Sequence, residues 1–266
     1  KDFFEWIGRP EMFKTRKNRI LEYADLAPLA YLHIALNGNN VQSYVKHLLI
    51  DEMQDYSPIQ YKVIQKLYPC RKTILGDTSQ SVNPYGSSTA DMIQKAIATG
   101  EKMKLCKSYR STFEITSFAQ KIQPNNELEP IMRHGEHPKI LPFKNTEEEI
   151  QGIADLVNSF RNSHYTSLVI ICKTESQAKE LVQKLQIYAN DISLLSNQSS
   201  AYVKGIIITS AHMAKGLEFD EVIIPQTDDK NYQSNIDKSM LYVAATRAMH
   251  KLTLTYSVSS PSCRFL

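Results

Sequence analysis

Seven short apolar runs constrain this 266-residue chain more than any other feature in it. They are "YVKHLLI" (44–50), "KTILGD" (72–77), the weaker "MKLC" (103–106), "SLVIIC" (167–172), "GIIITS" (205–210), "EVIIP" (221–225) and "KLTLTY" (251–256). Most are continuous blocks of Ile, Val and Leu rather than alternations of apolar and polar residues. A strand written that way is buried on both faces, which points to a parallel sheet covered by helices. Helical stretches fall between the runs. "SPIQYKVIQKL" (57–67) begins with Ser57 as N-cap and Pro58 at the first helical position. "STFEITSFAQKI" has the spacing of a capping box from Ser111 to Glu114, and "TESQAKELVQKL" has it from Thr174 to Gln177. "EEEIQGIADLVNSF" puts Ile150, Ile153, Ala154, Val157 and Phe160 on one helical face. A further helix is expected over 236–248, and "QPNNELEP" (123–130) is expected to be a loop. The fold class is therefore α/β. The strand–helix pattern occurs twice, so we expect two units, 1–106 and 107–266, with the break near Leu105–Tyr109.

Composition narrows the function classes. With 42 % hydrophobic residues the chain can bury a sizeable core. A net charge of +3 is too mild to argue nucleic-acid binding alone. The basic run Lys14, Arg16, Lys17, Arg19 reads as a solvated helix face before it reads as a track for a phosphate backbone. Cys70, Cys106, Cys172 and Cys263 form no CxxC pair, which argues against a zinc knuckle or a disulfide framework and fits a reducing cytoplasm. No apolar run is long enough for a membrane-spanning helix. The first residue is Lys1 rather than Met, and we expect the chain to be a piece of a longer polypeptide.

In open α/β sheets ligands collect at the carboxyl ends of the strands, and the polar surprises of this sequence lie there. "HLLIDEMQD" runs from a strand straight into Asp51 and Glu52. These acids either face a helix dipole or form a magnesium site with an adjacent water-activating base. "LGDTSQSV" repeats the arrangement one strand later, with Gln80 as either a plain loop amide or a group that senses a phosphate oxygen. "SYRST" holds Tyr109 and Arg110 just before a helix, and "ATRA" holds Arg247 near a helix end; each arginine is either solvated or dipole-paired, or aimed at phosphate charge. "TSAHMAKGLEFDEV" follows a buried strand with His212, Lys215, Gly216 and Glu218.

Taken in order, these segments resemble motifs II to VI of the superfamily 1 helicases of the UvrD/Rep/PcrA type. "LLIDEMQD" looks like motif II, "LGDTSQSV" motif III, "KSYRST" motif IV, "ITSAHMAKGLEFDEVIIP" motif V and "LYVAATRAMHKL" motif VI. Within that group, "EYADLAPLAYL" (22–32) and "DYSPIQ" look most like HelD, the helicase-like factor that acts on RNA polymerase. The resemblance implies two RecA-like domains of a P-loop NTPase core, the first incomplete, with ATP and Mg2+ as cofactors and single-stranded or duplex DNA as partner. By the same resemblance Asp51 would hold magnesium and Glu52 would be the catalytic base. Gln80 would contact the γ-phosphate, Tyr109 would stack on adenine, Arg110 and Arg247 would reach the γ-phosphate, and Glu218 would bind the ribose. His212 and Lys215 would couple nucleotide state to the strand, and Tyr85 would stack on a base.

Three departures qualify what is implied. No GxxxxGK[ST] loop is present, since none of the nine glycines is followed by lysine. We therefore expect the missing N-terminal Walker A part of the same polypeptide to lie upstream, and this chain alone to be inactive as an ATPase. The large domain that UvrD-like enzymes insert between motifs IV and V is expected to be absent, as in HelD. Gly86 stands where the family has a strand-binding arginine after Tyr85. The leading function is the C-terminal part of an ATP-dependent DNA helicase or translocase. The alternatives are a HelD-type ATPase that remodels RNA polymerase core, and a non-hydrolysing interaction module.

Overall fold

The computed structural model describes residues 23–38, 42–81, 90–97, 100–188, 191–197, 199, 205–258 and 262–266. It divides into two compact units, Lys1–Gly76 with Tyr85–Glu101, and Asp77–Pro84 with Lys102–Leu266.

The first unit contains α1 (Tyr23–Asn37), β1 (His47–Ile50), α2 (Pro58–Leu67), β2 (Arg71–Ile74) and α3 (Ala90–Ile97). β1 and β2 pair in parallel, His47 with Arg71 through Ile50 with Ile74. Backbone bonds carry the pairing past the strand ends, from Leu75 N to Ile50 O and from Met53 N to Leu75 O, both 2.8 Å. α2 starts where the sequence signals, with Ser57 as N-cap, Pro58 in the first turn and a capping box completed by Gln60. Ile50, Tyr61, Ile93, Ala96 and Ile97 form the core. Tyr61 is wholly buried and donates its hydroxyl to Met53 O at 2.8 Å. That burial, with the charges of Tyr56 and Asp55 beside it, pushes the phenol far above its ordinary range. α1 is rich in apolar residues yet buries none of them, and Leu49 of β1 is 63 % exposed.

The second unit begins with a short parallel pair, β3 (Lys107–Ser108) and β4 (Glu129–Pro130), on either side of α4 (Phe113–Ile122). Then follow β5 (Lys139–Phe143), α5 (Thr146–Arg161), β6 (Leu168–Cys172), α6 (Glu175–Leu185), β7 (Ile192–Leu194), β8 (Ile206–Ser210), α7 (Ala211–Ala214), β9 (Phe219–Ile224), α8 (Asn235–Ala245) and β10 (Ala248–Ser257). Six of these strands form one sheet in the order β5-β10-β9-β6-β8-β7, and all its ladders are parallel. β6 explains why its sequence is apolar throughout. Leu168, Ile170 and Cys172 face one core with α5 and α6, while Val169 and Ile171 face the other with α4 and α8. Both faces are covered, as the continuous apolar runs require.

Several expectations are corrected in detail. "MKLC" (103–106) is not a strand: Met103 and Leu105 are exposed, and pairing begins only at Lys107, opposite Glu129. The polar segment 123–130 ends in β4 rather than being loop throughout. The N-cap of α4 is Thr112, not Ser111, because Thr112 Oγ1 accepts from Ile115 N, at 3.5 Å. Ser111 instead donates to Ala248 O at 2.6 Å, and Glu114 turns to His134 Nδ1 and Gly135 N, both at 2.8 Å. The capping box Thr174–Gln177 forms as read.

Ile170 sits at the centre of the doubly covered sheet with no exposure. Ile170→Ala is expected to lower the unfolding free energy of this unit by about 3–4 kcal/mol, through lost transfer energy plus an unfilled cavity. A urea titration showing a drop below ~1 kcal/mol at unchanged m-value would contradict this packing.

Candidate functional site

β1 delivers its chain into a strained turn. Glu52 adopts φ 53° and ψ 50°, a left-handed conformation that costs a non-glycine residue roughly 1–2 kcal/mol. Local bonds hold it there. Glu52 N donates to Asp51 Oδ1 at 2.8 Å, Asp55 N donates to Glu52 O at 2.9 Å, and the buried Gln54 donates its amide to Glu52 Oε2 at 2.5 Å. Such strain persists only where surrounding structure over-determines it, and it collects at sites that do chemistry. Gly76, just beyond β2, completes the restraint. A Cβ on Gly76 would lie 2.4 Å from Gln54 Oε1 and 2.6 Å from Met53 N, so only glycine lets the two strand ends approach. The turn projects the Asp51 carboxylate outward, exposed, with Oδ2 carrying no protein hydrogen bond among the described residues.

The second unit gathers most of the remaining candidates. Asp77 caps the 3-10 turn Thr78–Gln80 by accepting from Ser79 N at 2.8 Å. Its other oxygen accepts from Gln80 Nε2 at 3.0 Å, which fixes that amide so that Gln80 Oε1 accepts from Arg247 Nη2 at 2.6 Å. Arg247 follows α8 and is only 1 % exposed. Its guanidinium also donates to Val243 O at 3.1 Å, Leu217 O at 3.4 Å and Thr246 Oγ1 at 3.2 Å. Buried charge is tolerated when it is hydrogen-bonded in this way.

Arg110 and Glu218, expected to serve different parts of a nucleotide, meet each other as an ion pair of 2.5 Å, Nε to Oε1. The pair is partly exposed and therefore weak. Gly216, two residues before Glu218, has a φ of 80°, a conformation that side-chain-bearing residues rarely adopt. A recess is lined by Asp77, Gln80, Arg110, Ser111, Tyr242 and Thr246. Burial and the neighbouring Asp77 charge push the Tyr242 hydroxyl up to about 12. Tyr109, beside the recess in sequence, is 68 % exposed. His212 is exposed on the one-turn helix α7, with Lys215 half-buried immediately after it. Tyr85, Gly86 and the basic run at 14–19 lie outside the described residues.

Sequence reasoning missed the residues that hold this arrangement. Asp77 reads from sequence as a polar residue at a strand end, making a tight turn with Gly76, and its hold on Gln80 is not legible there. Lys173 and Asp237 carried no signal, being far apart in sequence. They form an ion pair of 2.6 Å that ties the end of β6 to the first turn of α8, the helix leading into Arg247. Burial works against the Asp237 carboxylate. Hydrogen bonds from Lys173 and from the backbone of Ser234 and Gln233 outweigh it and hold the group at about 2.

Two measurements follow from this geometry. Gly76→Ala is expected to cost about 1–3 kcal/mol in stability, because the added methyl forces Gln54 and the Met53 backbone apart; a neutral result in a thermal melt would refute the close approach. Asp237 has a lowered native pKa, so its stabilisation is full above the unfolded value near 3.8 and is lost as pH falls towards about 2. Asp237→Asn should thus be less stable than the parent at pH 7, with the gap closing between about pH 4 and 2. A gap that stayed constant across that range would exclude the linkage.

Comparison with known proteins identifies the family to which these two units belong. Residues 103–198 and 187–259 match the UvrD-like helicase C-terminal domain, and residues 12–101 match the UvrD/REP helicase N-terminal domain. DNA helicase II of Haemophilus influenzae is 31 % identical over 133 residues, covering 46 % of this chain and 18 % of that protein. ATP-dependent DNA helicase Rep of Buchnera aphidicola is 25 % identical over 215 residues, covering 74 % of this chain and 32 % of that protein. The crystal structure of the C-terminal domain of a possible DNA helicase from Lactobacillus plantarum aligns with a TM-score of 0.51 at 27 % identity, covering 59 % of this chain and 91 % of that one. The chain spans about a third or less of the length of the curated relatives it matches. With the UvrD-like helicase C-terminal domain matching more than half of this chain, the chain belongs to the UvrD-like helicases.

Proposed function

We propose that this chain forms part of an ATP-dependent DNA helicase or translocase, residues 1–106 supplying part of a first RecA-like domain and 107–266 the second. The observation that carries the reading is the strained Asp51–Glu52 turn at the end of a parallel strand, held by Gln54 and closed by Gly76. A structural acid pair would need no left-handed glutamate. Glu52 is the base that takes a proton from the attacking water, and Gln54 orients its carboxylate. The site residues also fit a metal, since Mg2+ on a nucleotide takes one or two protein carboxylates and completes its shell with phosphates and water. Asp51 has that single outward carboxylate, and Mg2+ bound there would neutralise charge on the β- and γ-phosphates. Gln80 and Arg247 read the γ-phosphate as a linked pair, so a change at one is felt by the other. Arg110 exchanges Glu218 for phosphate, freeing Glu218 for the ribose hydroxyls, and Tyr109 stacks on adenine. His212, Lys215 and Tyr85 relate nucleotide state to a DNA strand. Without a GxxxxGK[ST] loop this chain alone hydrolyses ATP negligibly, and activity belongs to a longer polypeptide that supplies that loop.

A second reading is favoured by one feature. α1 leaves Tyr23, Leu26, Leu29, Leu32 and Leu36 exposed, which suits a HelD-type factor working against RNA polymerase core. Co-purification with the polymerase and little strand displacement would support that reading. Strand displacement that weakens steeply with salt would support the first. Among the described residues no helix is long and apolar enough to cross a membrane.

In the intact enzyme, Glu52→Gln is expected to reduce ATP turnover by about 10²–10⁴-fold, the usual contribution of a positioned general base, while nucleotide affinity changes little. Full turnover by that variant would remove Glu52 from its role.

A further inference from the structure

Arg110 and Arg247 lie on separate stretches of backbone, yet one side chain outside every motif touches both stretches. Arg133 stands in the segment between β4 and β5. Its Nη2 donates to the carbonyl of Arg110 and to the carbonyl of Met249, the latter at 3.2 Å. Met249 falls where the β10–β9 ladder shifts register between Ala248 and Lys251. A bulge of this kind interrupts the ladder and leaves backbone groups in need of other partners, and Arg133 supplies one.

The backbone of Arg133 is itself fixed, because Phe113 N donates to its carbonyl at 2.8 Å. Ser111 adds a second tie, one residue after Arg110 and one before Met249, from its hydroxyl to Ala248 O at 2.6 Å. The backbone of Arg247 is held in turn by Phe219 N, which donates to Arg247 O at 3.0 Å. The chain carrying Arg110 and the chain leaving Arg247 are thus stapled at adjacent positions. Arg133 Nε is buried without a hydrogen-bond partner among the described residues. Leaving a buried donor unmet is costly, so the guanidinium is kept where it is by what its other end holds. Both bonds come from the single nitrogen Nη2; a lysine ammonium has donors enough for both carbonyls but lacks the rigid planar stem that places that nitrogen between them.

We propose that Arg133 is a positioning residue for nucleotide hydrolysis. It sets the spacing of Arg110 and Arg247 by clamping their two backbones together, and it touches no part of the nucleotide itself. This rests on the reading of both arginines as phosphate ligands. Misplacing such a group by about 1 Å can cost on the order of 10²-fold in rate, so the signature is a fall in kcat with little change in KM.

The test uses the intact, P-loop-bearing protein and compares Arg133→Met, Arg133→Lys, Arg110→Ala and the double variant Arg110→Ala/Arg133→Met. Turnover is measured well below all melting temperatures. Arg133→Met is expected to lower kcat by about 10- to 100-fold with KM within about threefold, and Arg133→Lys to recover part of the loss. Because Arg133 acts through the placement of Arg110 relative to Arg247, the double variant should be slower than Arg110→Ala by much less than the loss in Arg133→Met alone. Turnover within twofold of the parent for a folded Arg133→Met overturns the inference. So does a double variant in which the two losses multiply in full. Equal turnover for Arg133→Met and Arg133→Lys, tracking only their melting temperatures, would make Arg133 a stabilising residue and also overturn it. Unchanged turnover in Arg110→Ala is a separate failure, which removes the phosphate-ligand reading and this inference with it.

Discussion

The buried guanidinium of Arg247 is the interaction on which the second unit's polar edge depends. A permanent charge at 1 % exposure must find oxygen atoms in several directions. Here they come from the last turn of α8, from Leu217 in the loop before β9, and from Gln80. Each of those groups is thereby fixed against the others. The Gln80 amide cannot rotate without losing either Asp77 or Arg247. The loop of Leu217 leads directly to Glu218 and its ion pair with Arg110. One desolvated side chain therefore imposes order on three segments that are distant in sequence.

The first unit solves a different problem, that of holding a carboxylate in an unfavourable backbone conformation. The solution is steric as much as electrostatic. Gly76 lets the end of β2 press against the turn, and the buried Gln54 fills the space and caps the Glu52 carboxylate. Tyr61 reaches up from α2 to hold Met53 O. The strained residue is thus caught between a glycine, an amide and a phenol, none of which is an acid or a base in the proposed chemistry.

What was legible in the sequence was whatever local physics decides. Continuous apolar runs gave the parallel sheet, and the caps at Ser57 and Thr174 appear where their spacing put them. In the six-stranded sheet, motif residues lie beyond strand ends because both faces are covered; β1 and β2 carry their motif residues at the same ends without that cover, Leu49 being exposed. Illegible were contacts between residues far apart. Glu149 looked like an ordinary acid in a helix's first turn, yet it is buried and accepts from Gln226 N at 2.9 Å and Thr255 Oγ1 at 2.6 Å. Lys173 with Asp237 is the same case. The shift of the cap from Ser111 to Thr112 shows tertiary demand overriding a local rule, because the Ser111 hydroxyl is claimed by Ala248 O.

The cores of the two units are unequal, and this has a consequence for how the chain comes apart. Among the described residues, the first unit buries Ile50, Tyr61, Ile93, Ala96 and Ile97 beneath a two-stranded sheet, whereas the second encloses two clusters on either side of six strands. Opening free energy scales with the apolar contact a region would lose. The unit bearing Glu52 therefore opens more often than the unit bearing Arg247, and amide protons around the acidic turn exchange with solvent sooner than those of β6. From the described residues, warming is expected to disturb the geometry around the carboxylates before it disturbs the large sheet.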